Sequence, residues 1–418
     1  MNLYRYFPVP SDRMGTLWTL GSIKDAYIVE FGPAGTTHFS IEGFMQLNAQ
    51  EEAKCFTTHL DESDIAFGSH ERLEKAIKEV DKIHNPEVIF VMGSSITAII
   101  GIDIKSICFM LQKEVNATLI PIDTGGFKGD FTLGVRNTIK LLCKEIVEAP
   151  LEKKAKTYNI IGSQVDYFNY KSDVNEIKEI MKEVFGYTCN CIFTSDTSLE
   201  KIKKASEAEF NIVIRSEGID GAKILKERYN QEYILGRPYG LKNTLKWIRD
   251  IEDVIGVEGN KTYLDEKILY IEDAIMKIKT IIKENKCEST IISGYYDMVN
   301  GIYPMLKEMG FNICCGIVKH NKKGNNYFNI EEGLEDKIKI NISEEEQMEL
   351  INQYSPQIIV GDGALLKMSD SPIKIQISNP NLSKVLIYNR TPFIGFNGML
   401  YMIELTINSI KDGYMLAL

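Results

Sequence analysis

Long apolar runs are missing from this sequence: no stretch approaches the ~20 residues that cross a bilayer as a helix, so no membrane association is expected. The N-terminal MNLYRYFPVPSDRMG has no apolar core of signal-peptide length, which predicts a cytoplasmic protein. Positive charge is also scarce. With 48 Lys and Arg against 58 Asp and Glu the formal net charge is −10, and no dense basic run tracks phosphates, so nucleic acid is not an expected partner. There is no P-loop GxxxxGK[ST], no HExxH and no Ser/His/Asp order. Without a P-loop no bound ATP is expected on this chain, and any ATP must be hydrolysed by a partner. Eight cysteines are present, but none forms a spaced C-x-x-C pair, and a reducing compartment argues against a disulfide framework. Cys108, Cys143 and Cys287 lie in or beside apolar stretches and read as small core residues, and Cys189, Cys191, Cys314 and Cys315 each open a strand.

What is present is ordinary globular composition, 44% hydrophobic and 25% charged, over 418 residues. At ~100–200 residues per domain the chain should hold two to four domains. Its pattern is repeated strand–helix units, which build parallel sheets covered by helices on both faces. EVIFVMGSS (87–95) reads as a buried strand and turn, IGIDIKSICFMLQKEV as the following helix, and ATLIPIDTGGF as the next strand and its loop. The charged EAPLEKKAKT (148–157) reads as a linker to a second α/β unit with the strands YTCNCIFT and FNIVIRSEG. A helix over about 263–284 leads to a third unit, with the strands STIISG, FNICCGIVK, KIKINI and QIIVGDGA. From about 396, Met399, Met402, Ile403, Leu405 and Ile410 have helical apolar spacing, which predicts a helix packing back on the body. The expected divisions are therefore 1–150, 151–285, 286–395 and a terminal helical segment 396–418. KHNKKGNNYFNIEEGLEDK (319–337) reads as an exposed loop or a docking surface.

This organisation places Ser94, Ser95 and the loop of Gly125, Gly126, Phe127, Gly129 and Asp130 at the carboxyl ends of strands, where open α/β sheets bind ligands. Glycines there either let a ligand or a neighbouring chain approach the backbone or only make tight turns. Asp61, Glu62 and Asp64 stand where carboxylates favour a helix start. Cys55, with His59 four residues later and His38 upstream, reads either as part of a Cys/His metal set or as a small buried strand residue beside two locally bonded histidines.

In order along the chain, GTLWTLGSIKDAYIVEFGPAG, DIAFGSHERLEKAI, GSSITAIIGIDI, DTGGFKGDFTLG, YNIIGS, IISGYYD, IIVGDGA and RTPFIGFNG resemble successive landmarks of the nitrogenase component 1 family. The resemblance covers nearly the whole chain and rests on the ordered set. It implies three Rossmann-like domains, oligomers with a component 1-like subunit, an iron–sulfur cluster shared between subunits, and electrons from an ATP-hydrolysing iron protein. Counting from the matching glycines, the family's three cluster-ligand positions fall at Ser11, four residues before Gly15, at Thr36, directly after Gly35, and at Ser95, six residues before Gly101. All three carry hydroxyls where thiolates are usual. The resemblance also places Gly35, Gly126 and Phe127 beside the cluster. No cysteine follows FNIVIRSEG and no histidine stands in SPIKIQISNPN, so no molybdenum cofactor is expected. The readings are thus a subunit of a nitrogenase-like reductase beside a cysteine-bearing sister chain, a scaffold or carrier for a metallocluster or tetrapyrrole precursor, or a cluster-free structural or regulatory partner.

Overall fold

Residues 7–47, 53–321, 330–382, 384 and 386–415 are described by a computed structural model. Residues 322–329 of the polar segment read as a loop or docking surface lie outside them. The described strands form three parallel sheets. The first has the order β2-β1-β3-β4, with β1 Tyr27–Phe31, β2 Lys54–Thr57, β3 Val88–Gly93 and β4 Thr118–Ile122. The second runs β6-β5-β7-β8, with β5 Thr157–Ser163, β6 Thr188–Thr194, β7 Phe210–Val213 and β8 Glu232–Leu235. The third runs β11-β10-β9-β12-β13, with β9 Ser289–Gly294, β10 Asn312–Val318, β11 Ile338–Ile340, β12 Ile358–Asp362 and β13 Ile373–Ser378. Every pairing is parallel, and β3, β7 and β12 are buried along their whole length. Helices on both faces produce that double burial, and it explains why these strands read as largely apolar runs rather than alternating ones. In each sheet the chain winds outward in both directions from a central strand pair: β1 and β3, β5 and β7, β9 and β12.

The structure also departs from the sequence reading. The single helix expected after β3 is two, Ser95–Ile99 and Ile104–Leu111, because Gly101 takes φ +76° between them. The acidic cluster before residue 69 caps a short extra helix, Glu62–Phe67: Asp61 accepts from the Asp64 amide, and Asp64 accepts in return from the Asp61 amide. Gly68, at φ +62°, ends that helix before Glu71–His84 begins.

The terminal helix Gly395–Met415 buries Phe396, Met399, Met402 and Ile403 in the main core. Its start is held by Glu176, which accepts from the Asn397 backbone amide at 2.9 Å and side-chain amide at 2.8 Å. Burial pushes the Glu176 carboxyl up to about 7, against the pull of those two bonds. The folded value lies above the unfolded ~4.3, so the folded chain holds a proton that the unfolded chain has released, and stability declines as pH rises from ~4.3 towards neutrality. Glu176→Gln is expected to flatten that decline and to be the more stable protein at pH 8. Urea midpoints at pH 5 and pH 8 that differ equally in the two proteins would show the assignment to be wrong.

Candidate functional site

In a doubly wound sheet the crevice between the two central strands opens beyond their carboxyl ends. In the first sheet β1 and β3 end together, Phe31 opposite Gly93, and the next residues are Gly32 and Ser94. These turns are in close contact: a Cβ on Gly32 would fall 2.5 Å from Ser94 Cβ and 3.3 Å from Thr36 Oγ1. Ser94 caps the helix Ser95–Ile99, its Oγ accepting from the Thr97 amide at 3.3 Å. Thr36 lies in the first turn of the helix Ala34–Gln46 and donates to Pro33 O at 2.8 Å.

The glycine loop closes this crevice. Gly126 has φ +87°, and a Cβ there would lie 3.3 Å from both Ser11 Oγ and Ser95 Oγ, so these two hydroxyls are no more than twice that distance apart. The loop is tied to the N-terminal segment by hydrogen bonds from Asp12 N to Gly129 O at 3.0 Å and from Phe131 N to Pro10 O at 2.8 Å. Asp130 caps the helix Phe131–Leu141 and also accepts from Asn321 N of the third sheet's loop at 2.8 Å. Below Ser11, buried Arg13 pairs with buried Glu30 of β1, and Thr37 donates to the same carboxylate at 2.8 Å. One buried charge pair thus fixes the helix Asp12–Gly21 against β1 and the helix after it.

The structure therefore brings Ser11, Ser95 and Gly126 together, with Thr36 across the β1–β3 crevice beside Ser94. Gly35 is exposed, and a Cβ on it would meet nothing within 4 Å. Phe127 is 65% exposed and lines a groove of about 490 Å³ with Ala98, Ile102 and Lys128 at the ends of β3 and β4. Cys55 is not part of this assembly. It sits in β2 opposite Ile28, half-buried against the main core. His38 is exposed 3.1 Å from Glu42, and His59 is exposed at φ +52°. Among the described residues no group of three or more His, Cys, Asp or Glu side chains is placed to hold a metal ion. Burial raises the thiol pKa to about 12 for Cys108 and Cys191 and to about 11 for Cys189, Cys287 and Cys315, so none of these is a thiolate at neutral pH.

The crevices of the second and third sheets face one another and are filled. Arg215, just beyond β7, donates to both oxygens of Asp166 at 2.9 Å and to Glu217 at 2.8 Å. Its stem crosses Gly162, where a Cβ would fall 2.4 Å from Arg215 Cγ, and its guanidinium lies 4.7 Å from the Tyr167 ring. Asp297, at the start of the helix Tyr296–Met309, accepts from the Ser216 amide at 2.7 Å, and burial raises its pKa, with the charge of Glu217 adding to the rise. His320 accepts from the Tyr296 amide at 3.0 Å through Nε2, so its Nδ1 carries the proton shared with Asn321 O. The rings of Phe131 and Tyr167 meet Tyr295 across the junction at 4.9 and 5.5 Å, tilted and edge-on respectively, and the cavity left beside them measures about 30 Å³. None of these charged residues was singled out from sequence. The available signal was charge directly after an apolar strand, in FNIVIRSEG and YNIIGSQVD.

A family model described as nitrogenase component 1 type oxidoreductase matches residues 11–411. The nitrogenase iron-molybdenum cofactor biosynthesis protein NifE of Clostridium pasteurianum is 27% identical over 264 residues, 62% of this chain but 57% of that protein, so the match spans little more than half of that relative's length. One subunit of the light-independent protochlorophyllide reductase of Chlorella vulgaris is 23% identical over 96% of this chain and 82% of its own length. Among solved structures, nitrogenase Cp1 at pH 6.5 superposes with a TM-score of 0.82 at 15% identity, over 99% of this chain and 95% of that one, a likeness of fold. Among the described residues no helix is long and apolar enough to cross a membrane.

Proposed function

Because this chain belongs to the nitrogenase component 1 type oxidoreductases, we propose that it is the ligand-poor subunit of a nitrogenase-like complex, paired with a sister chain whose thiolates hold the iron–sulfur cluster. The observation that carries this reading is the convergence of Ser11 and Ser95 on Gly126, with Thr36 across the same crevice. In this reading the family's cluster site keeps its place in the fold and its donor set is changed. Serine and threonine hydroxyls are protonated, hard donors at neutral pH, whereas iron–sulfur clusters are held by soft thiolates. The residues present do not fit the group as its ligands. In this reading they form a wall against it, with hydroxyls as hydrogen-bond donors, and ligation falls to the sister chain.

Exposed apolar side chains at Ile99, Phe109 and Phe127 belong to the elements framing this end of the sheet, which suits burial against a second chain. Electrons would come from an ATP-hydrolysing iron protein, since this chain has no P-loop of its own. The scaffold reading, which the likeness to NifE brings forward, has less support. A carrier needs a concave space for its cargo, and the junction of the second and third sheets leaves about 30 Å³ beside its aromatic cluster and a separate cavity of about 160 Å³ beyond β7 and β8, both small for a metallocluster or a tetrapyrrole. The same filling speaks against a molybdenum cofactor there.

Anaerobic co-expression with a component 1-like sister chain, followed by purification on a tag carried by this chain, tests the reading. Iron and a low-temperature EPR signal should appear in the complex and be absent from this chain alone. A complex that forms without iron, or no complex at all, defeats it. The local geometry has its own test: after anaerobic reconstitution the combined variant Ser11→Cys, Thr36→Cys, Ser95→Cys should retain at least tenfold more iron than the parent protein on gel filtration. Equal iron in both would mean that the three positions do not share a site.

A further inference from the structure

Beyond β8 the chain turns through Gly236 and Arg237 into the helix Gly240–Ile255, and a cavity of about 160 Å³ remains between this turn, that helix and the start of the helix Tyr296–Met309. Two buried side chains that line it carry hydrogen-bond donors with no acceptor. The Arg237 side chain is 3% exposed; its Nη2 faces Asp173 Oδ2 at 3.0 Å and the Tyr239 hydroxyl lies against the guanidinium, while Nε has no hydrogen-bond partner. Trp247 is also 3% exposed, and its indole Nε1 is likewise unsatisfied. The indole Cδ1, next to that nitrogen, is 3.6 Å from where a Cβ on Gly236 would stand, and Gly236 lines the same cavity.

Leaving one such donor buried and unmade carries its full desolvation penalty, larger for a charged group. Unmade donors on two buried side chains that line one cavity, Arg237 Nε and Trp247 Nε1, point to an acceptor that completes the site. Arg237 is not short of compensating charge: its Nη2 lies 3.0 Å from Asp173 Oδ2, and the guanidinium stacks 4.1 Å from the Tyr167 ring. What it lacks is an acceptor at Nε, on the side of the fork that the monodentate Asp173 contact does not reach, and a carboxylate oxygen supplies one. Size agrees with this, since a cavity of ~150 Å³ accepts a molecule as large as benzene. The remaining wall carries Asp250, Asp297 and Glu331 against the single cation Lys246, an excess of negative charge that disfavours a multiply charged anion and suits a carboxylate with a small polar or cationic substituent.

We propose that this cavity binds a small monocarboxylate, its two oxygens taken by the Arg237 guanidinium and the Trp247 indole N–H. This site is separate from the crevice of Ser11, Thr36 and Ser95, and it stands or falls independently of the cluster reading. The sequence contains two tryptophans, so the 15N-resolved spectrum of the full chain has two indole signals, and Trp247→Phe assigns one of them. Titration with acetate, with glycine and with inorganic phosphate, each to tens of millimolar, is the test. Acetate or glycine should move the Trp247 indole proton downfield in a saturable way while the Trp18 signal stays in place. In Trp247→Phe, which keeps the ring and loses the N–H, affinity for the same probe by calorimetry should fall at least tenfold. No saturable shift with either carboxylate, a response to phosphate only, or unchanged affinity in Trp247→Phe would each overturn the assignment, and the first would leave water as the occupant.

Discussion

Gly134→Ala is expected to destabilise the protein by about 3 kcal/mol or more, the upper end of the usual overpacking range, although alanine is the better helix former. A Cβ at Gly134 would fall 1.9 Å from Asp12 O and 2.8 Å from Thr16 N, and one at Gly15 would fall 2.0 Å from Phe131 O. Both contacts are with backbone of the opposing helix, which has no rotamer to change, so the helices Asp12–Gly21 and Phe131–Leu141 must move apart. Moving apart breaks the hydrogen bonds that bind residues 10–12 to the glycine loop, and with them the approach of Ser11 to Gly126. Gly15→Ala should behave the same way. Gly35→Ala is the control: its φ is not positive and a Cβ meets nothing within 4 Å, so a change between neutral and a gain of ~1 kcal/mol is expected. Urea denaturation of the three variants decides the matter. A Gly134→Ala loss below ~1 kcal/mol, or a Gly35→Ala loss as large as that of Gly134→Ala, would mean that the close helix crossing is not what these glycines serve.

The contrast between these glycines shows what a sequence gives up and what it withholds. Strand–helix alternation was readable because β3 is apolar throughout and β9 and β12 are built around short β-branched apolar runs, a local property of a few consecutive residues. β8 was not, because four residues with exposed Glu232 at the head carry too little pattern. The strand IKIQIS was read only as part of a landmark, and the helix Gly240–Ile255 was not separated from its surroundings. Within the site, Ser11, Thr36 and Ser95 were legible by counting from glycines, since the spacing of turns along one Rossmann-like unit is a local quantity. Their convergence was not, since it depends on Gly126 taking a positive φ between two of them. The least legible feature was the Arg215 cluster. Its partners are 49 residues away at Asp166 and, for Ser216, 81 residues away at Asp297, and only the facing of two sheets brings them together.

That cluster gives the second large effect. In Arg215→Met the stem can still cross Gly162, but Asp166 and Glu217, with side chains 0% and 4% exposed, are left without their cation. Removing one partner of a buried ion pair costs ~3–5 kcal/mol, because the remaining charge stays desolvated. The loss should depend on pH, and its sign follows from the protons. Burial already raises the Asp166 pKa above its ordinary value, with Arg215 pulling it back down. Glu217 is buried too, yet Arg215 holds its carboxyl below the ordinary value. Without the guanidinium burial prevails at both carboxyls and both rise, so the folded variant holds protons that the unfolded chain has released, and its stability falls as pH climbs from ~4 towards neutrality. The variant should therefore lie closer to the parent at pH 5 than at pH 8, as measured by urea midpoints. Adding Asp166→Asn and Glu217→Gln to Arg215→Met removes the stranded charges and should recover part of the loss at pH 8. A loss that is the same at both pH values, with no recovery in the triple variant, would instead assign the cost to lost packing against Tyr167. The distinction bears on function, because a charge cluster that holds two sheets together is a structural plug in a crevice where this architecture otherwise has room for a ligand.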